Sequence, residues 1–251
     1  MTDSMTDSMT AGTVMIPGHA DDQIEAYVAR PIDASSAPSV VVIHHMPGYD
    51  EETKEITRKL AHHGYLAICP NLHYREAPGS DHGEASAACR SLGGVPDDRL
   101  IGDVEGSIRY VRSLPGSNGK IGTIGFCSGG RQAFLVGCTL PIDAAIVCYG
   151  GYMVGTPPPD RPVQVRPLLD IADRLSCPLL GLFGAEDRQP SPAHTAELEG
   201  VLSANGQEFE FHTYEGAGHA FFATDRASYR PEAAKEGWQR IFAFFERTLT
   251  E

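Results

Sequence analysis

The chain has 251 residues, 41% of them hydrophobic, which is enough for one α/β domain with a large core. Its 33 acidic side chains outnumber 20 basic ones, and the resulting formal charge of −13 argues against nucleic acid and anionic membranes as partners. No apolar run approaches the length of a membrane span, and the repeated tetrapeptide at Met1–Thr10 lacks the charged-then-apolar pattern of a signal peptide, so a cytoplasmic location is expected.

Residues 1–12 carry no core-forming pattern and are expected to be a disordered tail, with a single domain over 13–251. Thr13–Ile16 and Gln23–Arg30 read as two strands joined by a turn, the second alternating as a half-exposed antiparallel strand does. Ser39–His44 is an unbroken β-branched run, the mark of a strand buried on both faces. A helix is expected over 51–63, then a buried strand at Tyr65–Cys69 stopped by Pro70. The polar stretch 71–95 carries one short helix near Glu84–Arg90. Residues 97–114 place Leu100, Ile101, Val104, Ile108 and Val111 on one helical face.

Ile121–Phe126 is the next strand, and Arg131–Leu140 the helix after it. Two more buried strands follow at Asp143–Tyr149 and Pro178–Gly184. The Pro-rich segment 150–176 between them is too irregular for sheet and is expected to wall a pocket. Ser191 and Pro192 suit the start of a helix running to about Ala204. Glu208–Tyr214 alternates as a last strand, and Pro231–Leu249 is an amphipathic helix with Trp238, Ile241, Phe242 and Phe245 expected inward. Strands alternating with helices imply a mainly parallel eight-stranded sheet covered on both faces, with its site at the carboxyl ends of the strands.

Gly125-Phe-Cys-Ser-Gly129 sits between one such strand and helix and follows the G-x-nucleophile-x-G pattern with cysteine at the centre. The glycines relieve collisions around a sharp turn that lifts Cys127 above the sheet, and the helix start favours negative charge there. A thiol needs a base to ionise at neutral pH. Asp187, after the 178–184 strand, and His219, after the last strand, follow in the order nucleophile, acid, histidine that such a sheet imposes. The backbone N–H groups of Ser128 and Met46 are the expected oxyanion donors. Cys69, Cys89, Cys138, Cys148 and Cys177 form no C-x-x-C pair and read as reduced thiols.

On these motifs, from about Val14 onward, the chain resembles the dienelactone hydrolase family of the α/β-hydrolase fold. The resemblance implies cofactor-free hydrolysis of a small ester or lactone through an acyl-cysteine. It also implies that Arg75, in Pro70-Asn-Leu-His-Tyr-Arg-Glu-Ala-Pro-Gly79, contacts a substrate carboxylate. Tyr74, Phe126 and His45 are expected beside the substrate. Two positions depart from the family archetype: His45 stands where a glutamate helps generate the thiolate, and Ala223 where a second arginine binds carboxylate. A less acidic substrate than dienelactone would fit that second loss.

Two other readings compete. The pairs His44-His45 and His62-His63, with His73 and His82, invite a metal-dependent enzyme, although neighbours on a strand point to opposite faces and no H-x-x-x-H spacing occurs; no metal ligand is assigned. A non-catalytic binding protein on the same scaffold is the third. A monomer is expected, with a dimer as the alternative.

Overall fold

The computed structural model of the protein describes residues 9–163 and 165–250. In chain order its elements are β1 (Met9–Pro17), β2 (Gln23–Pro31), β3 (Ala37–Ile43), α1 (Glu51–His62), β4 (Leu66–Pro70), α2 (His82–Ser91) and α3 (Asp97–Ser113). Then come β5 (Ser117–Phe126), α4 (Ser128–Gly137), β6 (Ala144–Cys148), β7 (Leu179–Gly184), α5 (Pro192–Ala204), β8 (Phe209–Tyr214) and α6 (Pro231–Leu249). Short 3-10 turns lie at His19–Asp21 and Leu169–Arg174.

The strands form one sheet in the order β1-β2-β4-β3-β5-β6-β7-β8. β2 pairs antiparallel with β1 and β4, and every pair from β4 across to β8 is parallel. The hydrophobic pattern explains the two covered faces. Along β3, Val40 and Val42 pack with Leu60 of α1 and Ile241, Phe244 and Phe245 of α6. The alternate residues Val41 and Ile43 pack with Leu100 and Val104 of α3 and Phe134 of α4. Side chains of period two on a strand thus feed two separate cores. This is the α/β-hydrolase arrangement.

Two expectations need correction. The tail is shorter than 1–12, because Met9–Gly12 continues β1 against Val28–Pro31. In β1 only Ile16 is buried, so backbone hydrogen bonds rather than side-chain burial extend the strand. The remainder of the expected tail, residues 1–8, lies outside the described residues. In α6, Phe244 takes the inward position expected of Phe242, while Trp238 and Phe242 lie at the edge of the packed face and stack on each other at 5.6 Å. Among the described residues, no helix is long and apolar enough to cross a membrane.

Candidate active site

The chain turns sharply at Cys127, the N-cap of α4, with φ 56° and ψ −118°. An L-residue with φ in that range is strained, and such strain persists only where the surroundings fix it. Here the fixing contacts are backbone ones. Cys127 N–H donates to Cys148 O at 3.1 Å, and Cys127 O accepts from Gly130 N–H at 3.0 Å. The flanking glycines are required by space. A Cβ on Gly125 would lie 1.9 Å from Gly129 O, and one on Gly129 would lie 2.1 Å from Ile43 O. Gly129→Ala is therefore expected to destabilise the fold by about 2 kcal/mol or more, since backbone rather than a flexible side chain must yield. A urea-unfolding midpoint equal to wild type would contradict this.

Asp187 and His219 come from the loops after β7 and β8, which are stitched together at their start. Ala185 N–H donates to Tyr214 O at 3.0 Å, and Glu186 N–H to Ala217 O at 2.9 Å. Asp187 is buried. Its Oδ1 accepts from Gln189 N–H at 2.9 Å and its Oδ2 accepts from His219 Nδ1 at 2.8 Å. A carboxylate on Nδ1 keeps the proton there and leaves the other ring nitrogen as the one able to accept a proton, while His219 acts to lower the Cys127 thiol.

The electrostatics of the pair are opposed and complementary. Burial pushes the Cys127 thiol up, but the His219 hydrogen bond and charge, with the Ser128 and Met46 N–H groups, hold it below its ordinary value. Burial would lower His219, yet the Asp187 and Cys127 partners raise it. The ionised pair, thiolate and imidazolium, is what both shifts favour. The other five thiols are free and buried. Burial raises Cys89 to about 11 and Cys138 and Cys177 to about 12, and drives Cys69 and Cys148 far up.

Ser128 N–H is the first of α4 and Met46 N–H comes from the loop after β3; both backbone groups act to lower the Cys127 thiol. β3 and β5 are parallel neighbours with Ile43 opposite Gly125, which brings the loop after β3 next to the Cys127 turn. A cavity of about 420 Å³ opens over Cys127, Ser128, Asp187 and His219. Its apolar wall includes Leu72, Val95, Tyr152, Pro157, Val163 and Val165.

The expected substrate neighbours divide. His45 lines this cavity, with Nε2 2.5 Å from Asp50 Oδ2. Burial would raise the Asp50 carboxyl, but bonds from His45 and Thr53 hold it well below the usual carboxylate range. Phe126 instead lines a satellite space of about 10 Å³ with Tyr149 and Phe222, and Tyr74 packs partly buried against the core.

Arg75 is a correction. Its guanidinium grips both oxygens of the fully buried Asp103 at 2.9 Å each, and its Nε meets Asp22 at 3.0 Å. Neither Arg75 nor Tyr74 lines the cavity. A buried carboxylate outcompetes a transient substrate for that guanidinium. The cavity walls carry other arginines that the sequence did not single out. Of these, Arg90 and Arg188 make no ion pair with a described residue, whereas Arg131 is bidentate to Asp97 and also donates to Arg166 O.

The histidines do not converge on one ion site. His63 stacks on Phe242 at the end of α1, and both ring nitrogens of His44 are hydrogen-bonded within the protein. Among the described residues, one group of metal-capable side chains lies close together, His45, Asp50 and Glu52, and in it Asp50 is already engaged by His45 and Thr53.

Residues 24–249 match the model of the dienelactone hydrolase family. The chain belongs to this family. Relatives provisionally named carboxymethylenebutenolidase include one from Yersinia pestis, 33% identical over 96% of this chain and 89% of that one. Another, from Synechocystis, is 32% identical over 98% of this chain and 100% of that one. A crystal structure from Klebsiella pneumoniae, provisionally described as a dienelactone hydrolase, superposes with a TM-score of 0.83 at 33% identity, covering 95% of this chain and 99% of that one. A dienelactone hydrolase-like promiscuous phosphotriesterase from metagenomic libraries shares the fold, with a TM-score of 0.78 at 19% identity over 96% of this chain and 99% of that one. As a dienelactone hydrolase family member, the protein is a hydrolase of the ester and lactone class acting on a small molecule.

Proposed function

We propose that the protein hydrolyses small esters or lactones through an acyl-enzyme on Cys127, without a cofactor. The observation that carries this reading is the strained turn holding a depressed thiol against His219, itself bonded to buried Asp187. The thiolate attacks the substrate carbonyl, and the C=O electron pair moves to oxygen. The Met46 and Ser128 N–H groups receive that oxyanion. As the tetrahedral species collapses, the C–O bond breaks and imidazolium His219 protonates the departing alkoxide. With a lactone the alcohol stays tethered to the acyl chain. Neutral His219 then takes a proton from water, the hydroxide adds to the thioester, and thiolate leaves to give the acid. Asp187 keeps the imidazole in the required tautomer and stabilises its charge.

The wall of the 420 Å³ cavity suits a compact, largely apolar acyl or alcohol group. A carboxylate on the substrate would meet Arg90 or Arg188 rather than Arg75. His45, bonded to Asp50, borders the same space and lies beside the substrate.

Two measurements test the nucleophile. A slow p-nitrophenyl ester, quenched in acid and digested, should leave its acyl mass on the Cys127 peptide; turnover with that peptide always unmodified would refute the mechanism. Iodoacetamide should label Cys127 well before the five buried thiols. Because the Cys127 value is depressed, its thiolate persists as pH falls below the ordinary ~8.5 of a free thiol. Its labelling rate should therefore fall off at a lower pH than that of a free thiol. In His219→Ala the midpoint should move upward, toward or beyond the free-thiol value. Six cysteines reacting alike would count against an activated thiolate.

A further inference from the structure

His44 ends the run that forms β3 and is 2% exposed. Its Nε2 accepts a hydrogen bond from Leu72 N–H at 3.2 Å. A nitrogen that accepts carries no proton, so in the neutral ring the proton is on Nδ1. Burial pushes this imidazole down to about 4, so the ring is neutral at physiological pH. Nδ1–H then donates to the carbonyl oxygen of His45 at 2.8 Å. The ring is held from the side as well, by the edge of His73 with centroids 4.7 Å apart.

The His45 carbonyl and the Met46 N–H are two ends of one planar peptide group. Fixing the carbonyl fixes the direction of the N–H, and Met46 lines the cavity with Cys127, whose thiol that N–H acts to lower. A donor on the carbonyl also polarises the amide and strengthens what its N–H can give. The turn supplies one such donor, Gly48 N–H at 3.0 Å. Pro47, between them, has no N–H to offer. Ser86 Oγ holds the next carbonyl, that of Met46, at 2.6 Å.

We propose that His44 is a positioning residue for the oxyanion site, clamping the His45–Met46 peptide through its carbonyl so that Met46 N–H stays aimed at the developing oxyanion. The inference rests on the proposed acyl-Cys127 chemistry and deepens it.

The test uses variants that separate the two ring nitrogens. His44→Asn places an amide N–H where Nδ1–H stood. His44→Gln keeps a polar end for Leu72 N–H but loses the donor to His45 O. His44→Phe loses both. Pre-steady-state acylation by a p-nitrophenyl ester should fall about 10- to 100-fold in His44→Gln and His44→Phe, less than the loss of a whole oxyanion donor because Gly48 N–H remains. KM should move less than about threefold, and His44→Asn should recover to within about fivefold of wild type. Alkylation of Cys127 at about pH 10, where the thiol is ionised in every variant, needs no oxyanion donor and should change by less than about twofold. Wild-type acylation in His44→Gln, no recovery in His44→Asn, or an equal loss of alkylation and acylation would each overturn the role. Should His44→Phe fail to fold, the Asn–Gln contrast still decides. Full activity in Cys127→Ala would instead remove the nucleophile assignment, which keeps the two failures distinct.

Discussion

Cys127→Ala is expected to lose at least ~10³-fold in kcat/KM for any ester the wild type turns over, a barrier increase of about 4 kcal/mol. Alanine removes the proposed nucleophile and keeps the rest of the turn, including the Ser128 hydroxyl. His219→Ala should lose a similar factor, since the thiol then lacks both its base and the imidazolium that stabilises its charge. The two act as one unit, so Cys127→Ala/His219→Ala should be little worse than either single variant. Cys127→Ser is not a neutral swap. A hydroxyl ionises far less readily than a thiol, so no resting ion pair with His219 forms, and the variant should retain only a small fraction of the rate. The measurement is steady-state hydrolysis across a panel of p-nitrophenyl esters and small lactones, with far-UV circular dichroism to establish folding. More than a tenth of the wild-type rate in folded Cys127→Ala would sink the mechanism.

Loss of Asp103 or Arg75 should give the largest stability defect outside the hydrophobic core. Asp103 is fully buried in α3; it accepts two bonds from Arg75 and one from His19 N–H at 2.8 Å. Removing Arg75 leaves the Asp103 charge desolvated and uncompensated, at a cost of about 3–5 kcal/mol, and removing Asp103 leaves the guanidinium its Asp22 ion pair alone. Replacing both by leucine should cost less than the two single losses summed, because no orphan charge remains. Urea unfolding of the singles and the double measures this. The same variants decide the function of the arginine. In buffer where Arg75→Ala remains folded, its KM for carboxylate-bearing esters should rise no more than its KM for neutral ones, whereas Arg90→Ala should raise the former selectively. An unchanged urea midpoint in Arg75→Ala together with a selective rise in KM would return Arg75 to the substrate.

The elbow was legible in the sequence because its cause is local. Gly125, Cys127 and Gly129 lie within five residues, and the clash a Cβ would make at Gly125 is with Gly129 itself. The order of Cys127, Asp187 and His219 was legible because strand–helix alternation dictates which loops meet at the carboxyl edge of a parallel sheet. That Met46 borders the same cavity as Cys127 was legible from the same rule, since the loop after the 39–44 run must flank the Cys127 strand. Strand ends were less clear. Met9–Gly12 joins the sheet through backbone hydrogen bonds to Val28–Pro31, which leave no hydrophobic signature.

What the chain alone determines is therefore the fold, the turn and the sequence of chemical groups brought to one edge, because periodicity and short-range sterics encode them. Only the tertiary structure decides which way long side chains reach. Arg75 and Asp103 are 28 residues apart, as are His44 and Leu72. Nothing in the local pattern tells that Arg75 turns to a buried carboxylate, or that His44 spends both ring nitrogens on backbone groups while its neighbour His45 pairs with Asp50. Those choices are made by which buried polar groups would otherwise be left without partners.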